Sequence, residues 1–147
     1  MNRLYRSAQH AFPGSVRYSP VQARLGLKKI QGLPDRIRER HQRALQLQSL
    51  LGPDIRVQRL EEGATSTWYF LVAVLPVAAG PVRKRLLMRG IDAGVEAEIA
   101  DNCAQLLGWT DCPGVDEVFH NAIALPIFDG ITKRQVARIA HTLNKAF

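Results

Sequence analysis

The chain has 147 residues, 46% of them hydrophobic and 22% charged, with a formal net charge of +7. That is the size and balance of one globular domain with a real core, and it excludes a disordered chain. The most apolar run, Trp68 to Ala79, contains Pro76 and falls short of the roughly 20 apolar residues of a bilayer-spanning helix, so no membrane partner is expected.

The N-terminus does not read as a signal peptide, because Arg3 and Arg6 are followed by polar residues and Pro13 rather than an apolar stretch. The expected location is the cytoplasm. Two cysteines, Cys103 and Cys112, are too few for a disulfide framework and lack the paired close spacing of a zinc site. No metal is expected. Charge is uneven: residues 1–60 hold 12 Lys/Arg against 3 Asp/Glu, whereas residues 61–147 hold 8 against 10. Such a basic half suits phosphate groups, an acidic partner or nucleic acid, or is simply a solvated helix face.

Residues 1–18 show no sustained period and read as a lead-in segment. Residues 19–147 read as one small domain, with a helical pair over 19–52 and a sheet-helix unit over 53–147. Ser19-Pro20 is a helix start, a side-chain cap followed by a proline in the first helical position. Val21, Leu25, Leu27 and Ile30 supply apolar positions up to about Gly32, with Arg24, Lys28 and Lys29 on a charged face. A second helix starts at Leu33-Pro34-Asp35, with Ile37, Ala44, Leu47 and Leu51 as its apolar stripe and Arg36, Arg40 and Arg43 as a solvated basic one. Gly52-Pro53 closes it.

Ile55 to Leu60 alternates in the manner of a strand, and Glu61-Glu62-Gly63 reads as a turn. Thr67 to Leu75 is rich in aromatic and aliphatic residues, predicting a strand covered on both faces at the centre of the sheet, with Trp68, Tyr69 and Phe70 in the core. Gly80-Pro81 opens a short helix to about Gly90, and Ile91 to Val95 returns as a strand. Glu96 to Leu107 is ambiguous with helix favoured, Trp109 to Gly114 is a loop, and Val115 to Ala122 is a helical turn or two. Thr132 and Gln135 have capping-box spacing at the head of a terminal helix lined by Val136, Ile139, Ala140 and Leu143. The fold class is therefore α+β: an N-terminal helical pair, then a small mainly antiparallel sheet flanked by helices.

Three segments in order carry a family resemblance. Ser15-Val16-Arg17-Tyr18-Ser19-Pro20-Val21-Gln22-Ala23 is similar to the N-x-R-[MS]-[ST]-x-[LI]-Q-A-A stretch of the DegT/DnrJ/StrS aminotransferases, which opens a helix followed by an arginine-rich one, here Ile37 to Ala44. Thr67 to Val72, followed by Leu86 to Ile91, resembles that family's small-domain strand, helix and "G-I" return. Ile123 to Thr132 resembles its closing L-P motif and final helix. The resemblance runs from about Gly14 to the end of the chain.

What the resemblance implies is the small domain of a fold-type-I enzyme dependent on pyridoxal phosphate. Such an enzyme works as a homodimer and moves an amino group from glutamate or a similar donor to a nucleotide-linked keto sugar. The Schiff-base lysine belongs to a large α/β domain upstream of everything aligned here, so no catalytic residue is assigned in this chain. Its partner is then a second copy or a separate large-domain chain. By the family's pattern Ser15, in place of the motif's asparagine, and Arg17 face the cofactor phosphate of the neighbouring subunit. A helix start suits that anion; the alternative for Arg17 is an ordinary surface arginine. His120 and Asn121, just before the L-P motif, are the candidate substrate-binding pair, with a plain helix-surface role as the alternative. Where many members carry a histidine-tyrosine-proline stretch, this chain has Val95-Glu96-Ala97-Glu98. Three functions follow for comparison: the C-terminal domain of a sugar aminotransferase, a catalytically inactive interaction module of the same fold, and a basic nucleic-acid-binding protein.

Overall fold

The computed structural model describes residues 19–109 and 111–147, so the lead-in expectation and the candidates Ser15 and Arg17 lie outside the described residues. The chain divides into two compact units, Met1–Arg36 and Ile37–Phe147.

In the first unit, α1 spans Pro20–Gln31. The Ser19 hydroxyl accepts from the Gln22 amide at 3.2 Å and the Gln22 side chain returns a bond to the Ser19 amide at 2.9 Å. Two otherwise unpartnered backbone donors are thereby satisfied reciprocally. None of the residues of α1 is buried. Helix α2, Leu33–Leu50, begins in this unit and runs on into the second.

The second unit is a four-stranded antiparallel sheet in the order β1-β2-β4-β3, with β1 Arg56–Val57, β2 Phe70–Val74, β3 Gly94–Val95 and β4 Ala122–Pro126. Between the strands lie α3 (Ala79–Leu87), α4 (Cys103–Leu106) and α5 (Pro113–Asn121), and α6 (Lys133–Asn144) closes the chain. The register sets Leu71 opposite Leu125 and Ala73 opposite Ile123. These side chains share one sheet face with period two. They join Leu47 of α2, Val82 and Leu86 of α3, and Val136 and Leu143 of α6 in one fully buried cluster. Each such Leu or Ile contributes roughly 1.5–3 kcal/mol of apolar burial.

Several expectations need correction. Strand β4, Ala-Ile-Ala-Leu-Pro, is the central partner of β2 over five residue pairs and was not foreseen. The expected strand over Thr67 to Leu75 is five residues long, because Trp68 takes a left-handed backbone with φ 47°. That conformation cannot continue a ladder. Only one face of β2 is fully covered, since Val72 and Val74 are half-buried. Of the three aromatics placed in the core, Trp68 is buried at 2% exposure, Phe70 is half-buried and Tyr69 is exposed. Glu96 to Leu107 forms a three-residue 3-10 turn and the single-turn α4 rather than one helix.

The basic face of α2 is not wholly solvated either. Arg40 pairs with Asp129 at 2.7 Å and Arg43 Nε donates to the Ile131 carbonyl at 3.1 Å. Gln46 Nε2 donates to the Lys133 carbonyl at 3.3 Å. One helix row thus holds the loop between β4 and α6. The expected helix-ending Gly52 donates its amide to Asn144 Oδ1 at 3.0 Å, while Asn144 Nδ2 donates to the Leu50 carbonyl at 2.9 Å, tying the end of α2 to the end of α6. The predicted capping box is present, with Gln135 N donating to Thr132 Oγ1 at 3.2 Å.

Candidate functional site

The segment between β3 and α5 lies over the half-buried face of β2 and encloses a hollow of about 340 Å³, in which Val72, Ile99, Val118 and Phe119 supply apolar walls. Two local devices shape this segment. Glu98 accepts from the Val95 amide at 3.1 Å and from Arg83 at 3.1 Å, while Arg83 Nε also donates to the Ala93 carbonyl at 2.9 Å. The carboxylate therefore clamps the turn after β3 onto α3. Asn102, itself buried, caps α4 by accepting from the Gln105 amide at 3.0 Å and donates to Asp116 on α5 at 3.0 Å. Both sides of its amide are satisfied, as a buried polar group requires.

Glu96 lines this hollow with a left-handed backbone, φ 48°. A non-glycine residue held there is strained by about 1 kcal/mol or more. Its Oε1 stands 3.4 Å from Nδ1 of His120. His120 occupies the last turn of α5 with its side chain 60% exposed, and it does not line the hollow, although its neighbour Phe119 does. Asn121 ends the same helix, and its carbonyl accepts from the Leu75 amide at 3.0 Å, extending the β2–β4 ladder by one bond. The structure thus sets the two sequence candidates side by side at the junction of α5 and β4. Glu96 and Glu98 stand where the family's histidine-tyrosine-proline stretch is replaced, and their backbone roles have no signature in sequence.

The lining of the hollow is predominantly apolar. The buried polar residues among those described are Asn102 and Thr142. All five lysines, Lys28, Lys29, Lys84, Lys133 and Lys145, are exposed. Cys103 is exposed and Cys112 half-buried. No helix among the described residues is long and apolar enough to cross a membrane.

The fold is that of part of several solved aminotransferases. The chain superposes on PseC of Helicobacter pylori, an aminotransferase involved in the biosynthesis of pseudoaminic acid, with a TM-score of 0.75 at 20% identity, covering 93% of this chain and 39% of that one. The PLP-form of the sugar aminotransferase Spr1654 from Streptococcus pneumoniae gives 0.73 at 19% identity, covering 99% and 43%. The aminotransferase TlmJ from Streptoalloteichus hindustanus gives 0.72 at 19% identity, covering 86% and 35%. The chain therefore spans less than half the length of each. No curated protein matches it. The DegT/DnrJ/EryC1/StrS aminotransferase family matches residues 3–144, nearly the whole length. By that match and that fold, the chain belongs to the DegT/DnrJ/EryC1/StrS aminotransferase family.

Proposed function

We propose that this chain is the C-terminal part of a pyridoxal-phosphate-dependent nucleotide-sugar aminotransferase, acting only together with a large domain that carries the Schiff-base lysine. The observation that carries the reading is a family match over residues 3–144 in a chain that spans 35% to 43% of similar solved enzymes.

The described residues do not fit the cofactor by themselves. A Schiff-base lysine needs a desolvated amine, and all five lysines are exposed. No carboxylate among the described residues is buried to pair with a pyridinium nitrogen. When bound in the whole enzyme, the cofactor supplies the electron sink for amino-group transfer. This chain's part is binding: Ser15 and Arg17 hold the cofactor phosphate across a dimer boundary, and His120 and Asn121 stand on the side of the nucleotide-linked keto sugar. Glutamate or a similar amino acid is the donor.

A second reading, an interaction module that keeps the fold without the chemistry, is favoured by one observation. Val21, Leu25, Leu27 and Ile30 of α1 are 59% to 68% exposed. The nucleic-acid reading has less support, because Arg40 and Arg43 of the basic stripe are engaged by the Asp129 to Ile131 loop.

The test is co-expression with the reading frame immediately upstream of the Met1 codon. Co-purification, together with glutamate-dependent amination of a nucleotide-linked keto sugar by the complex and not by the chain alone, is the expected result. A borohydride-trapped aldimine on one lysine of the isolated chain overturns the reading. A stable complex with no amination leaves the interaction module in its place.

A further inference from the structure

A second hollow, of about 370 Å³, lies between the turn that precedes β3 and the face of α6. Its apolar floor is Ile91 and Ile139, with the half-exposed ring of Phe128 at one side. Three polar side chains surround that floor: Asp92 on the turn, and Gln135 and Arg138 on α6.

The two helix residues are fixed as hydrogen-bond donors. Gln135 Oε1 accepts from the Thr132 amide at 2.8 Å and from Thr132 Oγ1 at 2.9 Å, so the capping box holds the amide by its oxygen and leaves Nε2 to donate elsewhere. Arg138, three residues on and so on the same helix face, donates one NH2 to the Arg89 carbonyl at 2.6 Å. Its fork is thereby anchored at one end, with further donors for a planar anion. Asp92 stands on the other wall, where Gly90 takes φ 73° to turn the chain toward it. No ion pair joins Asp92 to Arg138 among the described residues, although both border the same space.

We propose that this hollow binds a free α-amino acid with an apolar side chain. Its carboxylate lies against Gln135 Nε2 and Arg138, its ammonium against Asp92, and its side chain on Ile91, Ile139 and Phe128. The charge layout selects a zwitterion. A neutral sugar ring leaves both charged groups without counter-charges, and a simple anion leaves Asp92 unmatched. Charge-assisted bonds to each end are about twice as strong as neutral ones, and a mostly apolar hollow with a few convergent polar groups is the usual form of a small-molecule site. The site lies outside the hollow bordered by Phe119 and Glu96 and needs no large domain.

The experiment is calorimetric titration of the purified chain with L-leucine, L-leucinamide, 4-methylpentanoate and methyl glucoside. L-Leucine binds, and both L-leucinamide, which lacks the carboxylate, and 4-methylpentanoate, which lacks the amine, bind roughly tenfold or more weakly, the scale of one lost hydrogen bond between charged groups. Arg138→Gln and Asp92→Asn each weaken L-leucine by a similar factor, while Arg59→Gln, remote from the hollow, does not. Far-UV circular dichroism checks each variant. Should one variant not fold, the four ligands on the unaltered chain decide the matter. Absence of L-leucine binding, equal binding of 4-methylpentanoate, preference for the glucoside, or full binding by either folded variant overturns the proposal.

Discussion

Trp68 Nε1 donates to His41 Nδ1 at 2.9 Å, joining the residue that leads into β2 to the middle of α2. The ring is buried at 2% exposure and the backbone is held left-handed, with its amide donating to Ser66 Oγ at 3.1 Å. Packing and hydrogen bonding therefore hold a backbone that costs about 1–3 kcal/mol locally. His41 receives this bond through the ring nitrogen that lacks a proton, which makes its other nitrogen the protonated one.

Trp68→Phe keeps most of the apolar contact and removes the donor, leaving a half-buried acceptor on His41. The expected loss is about 1 kcal/mol, and Trp68→Ala should lose roughly 3–5 kcal/mol. Urea unfolding of the single variants, His41→Ala and the double variant gives the coupling between the two rings. A coupling energy indistinguishable from zero removes the hydrogen bond from the account.

The two capping boxes provide a contrast. Thr132 heads α6, which buries Val136, Ile139, Ala140, Thr142 and Leu143, whereas Ser19 heads α1, which buries nothing. Thr132→Ala should therefore lower global stability by about 1 kcal/mol. Ser19→Ala should leave the unfolding midpoint in place and speed hydrogen exchange in the first turn of α1, since an unburied helix opens locally. Equal midpoint shifts for both substitutions would contradict this assignment of where the stability resides.

What sequence reveals here is whatever is decided within a turn of chain. Ser19-Pro20 and Thr132 with Gln135 declare themselves through side chains that bond their own backbone neighbourhood, and Gly52 through the helix-ending habit of glycine followed by proline. Strand β4 does not, because five apolar residues without alternation carry no period, and the strand is defined by pairing Pro126 with Phe70, far along the chain. The same distance hides Arg40. Its stripe reads as solvated until Asp129, 89 residues away, is brought beside it. Around the hollow the family motif points to His120 and Asn121, whereas nothing in the sequence marks the left-handed backbone of Glu96, whose carboxylate stands beside His120.

At roughly 100° per residue, Val21 and Leu25 lie on one side of α1, and Leu27 and Ile30 on another. All four are exposed. Apolar positions around more than one side of a helix mark surfaces covered from more than one direction. The isolated chain should therefore self-associate or bind hydrophobic dye, and Leu25→Glu with Ile30→Glu should return it to a monomer by analytical ultracentrifugation without changing the unfolding midpoint of the second unit. A monomer at high concentration that binds no dye would refute this.

The last expectation concerns Arg17, assigned by family pattern to the cofactor phosphate of the neighbouring subunit. The segment it sits in leads to Ser19 and the start of α1, where the positive end of the helix dipole favours an anion. In the assembly with a large domain, Arg17→Ala should weaken cofactor retention by about 1.5–3 kcal/mol, the scale of a hydrogen bond to a charged group, and high salt should narrow the gap. Ser15→Ala removes only a neutral hydroxyl and should lose about 1 kcal/mol. Arg40 cannot serve as the reference, because its pairing with Asp129 makes it part of the fold. Arg134, exposed near the start of α6, is the suitable one, and its replacement by alanine should leave retention unchanged. Cofactor dissociation from the assembled enzyme is the measurement, and an Arg17 variant that behaves like the Arg134 variant leaves Arg17 an ordinary surface arginine.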